Sequence, residues 1–165
     1  MNNLIIIRGN SGSGKSTVAK RLRYALGYGT MLVPQDVVRR DMLRVKDVAD
    51  NPSIELIRRL VHYGWECGFD VIVEGILFND KGGNMLRDLI RKCPGKSFVY
   101  YFDIPFEETL RRHETKPNSH EFGEEEMRSW WREKDFLGVP GEQVIDHEQS
   151  ADEIVSRILA DVRVS

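Results

Sequence analysis

Gly9-Asn10-Ser11-Gly12-Ser13-Gly14-Lys15-Ser16 follows the apolar run Leu4-Ile5-Ile6-Ile7 near the start of the chain. The eight residues fit G-x-x-x-x-G-K-[ST], the spacing of a loop that wraps phosphate groups with backbone N–H donors. The run before them is short and β-branched, as a buried strand requires. After them, Val18, Ala19, Leu22, Ala25 and Leu26 recur at helical spacing, which predicts a helix over Thr17 to Leu26. Strand, glycine-rich loop and helix in that order aim N–H groups and a positive helix end at an anion. Binding of a nucleoside triphosphate by Gly9 through Thr17 is therefore the first expectation. Within it, Lys15 serves the β- and γ-phosphates and Ser16 offers its hydroxyl to Mg²⁺. Thr17 is expected to cap the helix start or support the phosphate site.

The chain has 165 residues, enough for one domain with a real core and too few for two ordinary ones. Hydrophobic residues make up 41% and charged residues 30%, the balance of a water-soluble globular protein. A net charge of -2 excludes a global basic field seeking nucleic acid. Cys67 and Cys93 lie far apart and form no metal-ligand or C-x-x-C pattern, as expected of reduced thiols in a cytoplasmic protein. No apolar run approaches membrane-spanning length, and the start lacks the basic region of a signal peptide, so a cytoplasmic location is expected.

Further along, Thr30 to Val33 reads as a short strand, which Pro34 bars from continuing as a central one. Asp36 is placed to cap a short helix over Val37 to Val45. Asn51-Pro52-Ser53 starts a helix whose apolar face runs from Ile54 to Cys67, with Gly68 to end it. Asp70 to Glu74 is a buried-type strand. Asp80-Lys81-Gly82-Gly83 reads as a loop before a helix over Asn84 to Cys93, which Pro94-Gly95 stops. A strand over Ser97 to Phe102 leads to Pro105 and a helix over Phe106 to His113. Lys116 to Gly123 reads as a mobile loop, followed by a helix from Glu124 to about Leu137. Gln143 to Ile145 suits a short fifth strand, and Ser150 starts a final helix. Alternating strands and helices imply an α/β, three-layer fold: a five-stranded, mostly parallel sheet covered by helices on both faces. The single domain spans 1–165, with a small lid over about 112–135.

In such sheets ligands bind beyond the carboxyl ends of the strands. Asp36, Glu74 and Asp103 all fall at or just past strand ends. Asp36 is the candidate catalytic base, because phosphoryl transfer needs a carboxylate to accept the acceptor hydroxyl's proton. Arg39 lies one turn later and suits an anionic group on the acceptor, while Arg40 and Arg44 share a face. A carboxylate at Glu74 is costly to bury without a metal, water network or substrate donor beside it. Gly75 favours Glu74 over Asp103 as the second carboxylate, by letting a ligand approach the backbone. Arg111, Arg112 and Lys116 sit where a closing lid would deliver cations to the transferring group, with Arg132 a further candidate. Met127, Trp130 and Trp131 follow core spacing, and His62, His113, His120 and His147 form no ligand-like cluster.

Together, Gly9–Ser16, Asp36-Val-Val-Arg39, Val71-Ile-Val-Glu74-Gly75 and Arg111-Arg112 resemble the small P-loop kinases of the nucleoside-monophosphate-kinase-like group. That group includes chloramphenicol phosphotransferase, the 5′-kinase domain of polynucleotide kinase and the zeta-toxin sugar-nucleotide kinases. The resemblance runs over essentially the whole chain. It implies that Asp36 is the catalytic base, that Arg39 holds an acceptor phosphate, that Glu74 contacts the acceptor and that Arg112 grips phosphates from the lid. Lys116 stands where the common R-x-x-x-R spacing has its second arginine, and lysine supplies charge without the planar fork.

The combined expectation is an ATP- and Mg²⁺-dependent transfer of the γ-phosphate to a hydroxyl of a small-molecule acceptor. Lys15, Asp36 and Arg112 do the chemistry, and Asp36, Arg39 and Glu74 line the acceptor side. A polynucleotide 5′-hydroxyl kinase and a non-catalytic ATP-binding switch are the alternatives. No N-K-x-D guanine-reading motif is present.

Overall fold

A computed structural model describes residues 2–164. Five strands, β1 (Leu4–Gly9), β2 (Thr30–Pro34), β3 (Asp70–Gly75), β4 (Ser97–Phe102) and β5 (Gln143–Ile145), form one sheet in the order β2-β3-β1-β4-β5. Every pairing is parallel, so the expected mostly parallel sheet is wholly parallel. Pro34 is tolerated because β2 is an edge strand.

Successive side chains of a strand point to opposite faces, and here both faces are covered. Ile5 and Ile7 of β1 pack with Ile72, Tyr100 and Phe102 under α1 (Lys15–Leu26) and α6 (Ala151–Arg163). Leu4 and Ile6 pack with Val71, Val73 and Val99 under α2 (Pro52–Glu66) and α3 (Asn79–Lys92). This two-sided burial explains why β1 and β3 read as unbroken apolar runs. Each fully buried isoleucine is worth about 1.5–3 kcal/mol relative to exposure. Arg8 continues the face of Leu4 and Ile6, and it too is completely buried.

Helix starts follow local chemistry where a side chain can reach back. Asn51 accepts the Ser53 N–H ahead of Pro52, and Ser150 and Glu153 form a reciprocal capping box. α1 differs from expectation. Gly14, in the left-handed conformation, precedes its first residue, so Thr17 lies inside the first turn and does not cap.

Three other expectations are corrected. The predicted helix over Val37 to Val45 is a π-helical turn over Val37–Met42, closed by Leu43 N–H donating to the Val38 carbonyl. Asp36 makes no capping bond, and Arg44 falls beyond the turn in a left-handed conformation, so Arg40 and Arg44 do not share a helical face. Second, α3 starts at Asn79 and runs through the predicted Gly82-Gly83 loop, because Gly82 lets the helix settle on Leu77 and Ile54. Tertiary packing overrides glycine's poor helix propensity there. Third, the helix expected to reach Leu137 is α5 (Glu124–Trp130). It is preceded by α4 (Phe106–Glu114) and a run of turns. Residues 131–137 leave helical geometry because they are bonded to the sheet. Among the described residues no helix is long and apolar enough to cross a membrane.

Candidate active site

The loop from β1 to α1 sits at the carboxyl edge of the sheet's central strand. Its compactness rests on glycine: at Gly12, with φ of 78°, an added Cβ would lie 2.5 Å from the Thr109 carbonyl oxygen of α4. Only glycine combines that conformation with that approach. The Lys15 ammonium is buried in the loop, donating to the Asn10 carbonyl at 2.7 Å and to Ser13 Oγ at 3.2 Å. Burial lowers its pKa to about 8, against the pull of the Glu74 carboxylate. Ser11 is half-buried, and Ser16 and Thr17 are exposed on the first turn of α1.

Glu74 lies beside Ile7 in the sheet register, which carries its side chain to the mouth of the loop. Only 6% exposed, it accepts a hydrogen bond from the Ser16 hydroxyl at 3.1 Å. Burial pushes its pKa up, while Lys15 and Ser16 oppose the shift. The residue after it, Gly75, is needed for a reason other than ligand approach. The space above Gly75 is filled by Gln35, whose Oε1 would stand 2.6 Å from an added Cβ and which accepts the Leu77 N–H at 3.0 Å. Gly75 admits a side chain of β2's extension, not a ligand.

Asp36 follows β2 by two residues and presents a side chain 67% exposed. Its carboxylate faces the guanidinium groups of Arg39 at 3.7 Å and Arg40 at 3.9 Å. Arg39 is largely covered, and its Nη1 donates to the Val45 carbonyl at 3.1 Å, tying the π-helical turn to the chain that follows it. Asp36, two residues past β2, lies at the same carboxyl edge of the sheet as Glu74 on the neighbouring strand β3, and the charges of both carboxylates favour the ammonium forms of Lys15 and Lys116. Lys116 reaches in from the turns after α4. The residue as a whole is exposed, but its ammonium loses enough hydration to lower its pKa, with Glu74 and Asp36 pulling the other way.

Arg112, on α4, donates from Nη1 to the Ser13 carbonyl at 2.9 Å and from Nε to Glu108 at 2.9 Å. It therefore lies against the phosphate loop itself. Shared with Arg111, Glu108 is held down to a pKa of about 2.

Two expected participants lie elsewhere. Asp103 pairs with Lys134 at 2.6 Å and lines a separate cleft of about 500 Å³ with Phe106, Trp131 and His147. Glu74 alone of the two stands with Lys15 and Ser16. Arg132 is outside the lid helix: its guanidinium pairs with Asp80 at 2.6 Å and lies over the Phe78 ring. Of the predicted core trio only Met127 is buried. Trp130 packs on Phe122, and Trp131 meets Phe106 edge-on.

Two residues that motif reading passed over hold the site together. Arg8 donates to the Leu77 carbonyl at 3.1 and 2.9 Å and to the Asp135 carbonyl at 2.7 Å, and pairs with the Asp135 carboxylate at 2.8 Å. Asp135 in turn accepts the Asn79 N–H at 2.8 Å, so β1, the start of α3 and the segment after α5 meet on one guanidinium. The Asn10 side chain grips the backbone of Arg132 on both sides: Nδ2 donates to its carbonyl at 2.6 Å and Oδ1 accepts its N–H at 3.0 Å. An arginine ending an otherwise apolar strand was the only sequence signal of the first. For Asn10, at a free position of the motif, there was none.

The AAA domain family matches residues 4–134. Among curated proteins no relative matches the sequence. Solved structures share the fold along nearly the whole chain. A sugar kinase from Janibacter sp. is 19% identical, with a TM-score of 0.75 and coverage of 100% of this chain and 96% of its own. The APS kinase of Mycobacterium tuberculosis in complex with AMPPNP and APS is 18% identical, with a TM-score of 0.73 and 98% of each chain covered. A gluconokinase from Sinorhizobium meliloti is 20% identical, with a TM-score of 0.65, covering 96% of this chain and 90% of its own. These likenesses establish the P-loop kinase fold.

Proposed function

The chain belongs to the AAA domain family, and on that premise we propose that it is an ATP-dependent phosphotransferase acting on a hydroxyl of a small molecule. The observation that carries this reading is the buried Glu74 carboxylate bonded to Ser16 of the phosphate loop at 3.1 Å, with the exposed Asp36 carboxylate just past the end of the neighbouring strand β2. A nucleotide switch needs only the loop. A kinase also needs a carboxylate free to take a proton, and Asp36 is the accessible one.

ATP as substrate would supply the phosphoryl group, with Mg²⁺ neutralising the charge on its phosphates. The ion's donors here are hard oxygens: the Ser16 hydroxyl and, beside it, the Glu74 carboxylate. Among the described residues no three His, Cys, Asp or Glu side chains cluster, so the cation would rely largely on nucleotide and water. That suits magnesium, which keeps several waters. Lys15 leaves its loop partners for the β- and γ-phosphates, and backbone N–H groups from Gly9 to Thr17 cradle the chain of phosphates. Asp36, oriented by Arg39, accepts the proton of the acceptor hydroxyl as its oxygen attacks the γ-phosphorus and the bond to ADP breaks. Arg39 and Glu74 complete the acceptor side. Arg112 from α4 and Lys116 from the turns beyond supply positive charge to the transferring group.

Incubation with γ-labelled ATP, Mg²⁺ and a panel of sugars, other small alcohols and 5′-hydroxyl oligonucleotides tests the reading. A labelled small molecule that is absent with Asp36→Asn is the expected result. A labelled oligonucleotide would replace the small-molecule acceptor with a nucleic-acid end, and nucleotide binding without any labelled product would make the protein a switch.

A further inference from the structure

The lid leaves and rejoins the domain on the two sides of the phosphate loop. On the leaving side, α4 touches the loop through Arg112 on the Ser13 carbonyl and through the Thr109 carbonyl over Gly12. On the returning side, Met127 of α5 packs over Gly12, and the hydrogen-bonded contact with the loop runs through the side chain of Asn10, buried to all but 7%. Its carboxamide is bonded to the Arg132 peptide as one strand is to another, donor to acceptor and acceptor to donor. The gripped residue is fixed on its far side as well, by Asp80 and the Phe78 ring next to α3. Meanwhile the backbone carbonyl of Asn10 holds the Lys15 ammonium. One residue thus joins the phosphate-binding lysine, through its backbone, to the return segment of the lid, through its side chain.

We propose that Asn10 is a positioning residue that couples occupancy of the phosphate loop to the placement of the lid, an inference resting on the kinase reading above. When phosphates draw Lys15 from the Asn10 carbonyl, the loop shifts with its side chain still bound to Arg132. Because Asp80 and the Phe78 ring anchor the far side of Arg132, the shift turns the lid's return segment about that anchor and sets where Lys116 and α5 sit relative to the phosphate loop. Both polar atoms of the side chain are engaged with the Arg132 backbone, so its loss should weaken the coupling more than the binding.

Hydrogen–deuterium exchange of residues 112–131, with and without AMPPNP and Mg²⁺, reads the coupling directly and needs no acceptor. In the wild type AMPPNP should slow exchange across this segment. In Asn10→Ala the protection should drop by about tenfold while AMPPNP affinity changes by no more than about threefold. Asn10→Ser stays polar and uncharged but is too short to bond both the N–H and the carbonyl of Arg132. It should lose most of the same protection, and it carries the test if the alanine variant folds poorly. Protection retained in both variants would overturn the proposal, as would a loss of AMPPNP affinity as large as the loss of protection. A wild type that binds AMPPNP without any protection of the lid would overturn it while leaving the kinase reading intact. A wild type that binds no AMPPNP would overturn both.

Discussion

The phosphate loop and the π-helical turn after β2 stand at the same carboxyl edge of the sheet, yet they are built by opposite means. The loop is buried, held by its own backbone, by the close approach of α4 and by a lysine bonded back into it. The turn is exposed, with its carboxylate held only loosely by two arginines of its own segment. Under the proposed function the contrast follows from what each side would bind. A triphosphate presents one fixed pattern of charge, and a largely preformed cradle of N–H groups meets it with only a small shift. A hydroxyl acceptor must be admitted, deprotonated and released, which calls for an accessible base on a segment able to adjust. Beneath both lies Arg8, which ties the central strand to α3 and to the return of the lid.

The largest disturbance therefore comes from the shared support. Arg8→Met removes a buried cation and leaves the Leu77 and Asp135 acceptors short of a donor. Breaking one partner of a buried pair costs about 3–5 kcal/mol, which denaturant unfolding will register. Donor and acceptor functions should fail together. If either survives unchanged, the two sides do not share this foundation.

Lys15→Ala attacks the donor side alone. With the buried ammonium gone, phosphoryl transfer should fall by about 10³-fold, seen as lost label transfer from γ-labelled ATP, while circular dichroism shows an intact fold. On the acceptor side, Asp36→Asn keeps the shape and removes the proton acceptor. Its rate should fall by about 10²-fold or more with ATP affinity nearly unchanged. Full activity would remove Asp36 as the base and leave the contrast between the two sides without its chemical half.

The donor side was legible in the sequence because it is local. Gly9 to Ser16 carry the phosphate loop within eight residues, and the apolar runs of β1, β3 and β4 declare a sheet buried on both faces. The acceptor side was legible only as residue types near strand ends. Gly75 alone favoured Glu74 over Asp103; what separates them is that Ser16 bonds Glu74 while Lys134 claims Asp103. Arg8 pairs with Asp135 and Asn10 with Arg132, each more than a hundred residues away in sequence, and no periodicity records such a partner. The same distant contacts explain the misread end of α5. Nothing local stops a helix at Trp130, but Asn10 and Arg8 hold Arg132 and Asp135 out of helical geometry. Gly75 was read as room for a ligand because Gln35, its occupant, comes from another strand's extension.

The smallest expected effect is also the most specific to the buried loop. In the free protein the Lys15 ammonium has a pKa of about 8, because burial opposes its charge. Bound phosphates favour that charge, so the pKa in the complex lies higher. Below pH 8 the lysine is protonated in both states and affinity does not depend on this group. Above it, the free protein has lost a proton that the complex keeps, and binding must take one up. Affinity for ATP should therefore fall as pH rises from there, by up to about tenfold per pH unit. Arginine stays charged throughout this range, so Lys15→Arg should lack the slope, and comparing the two removes the nucleotide's own titration. Equal slopes for the two proteins would mean that the lysine is already charged in the free loop. Its burial would then have no bearing on how the donor side binds.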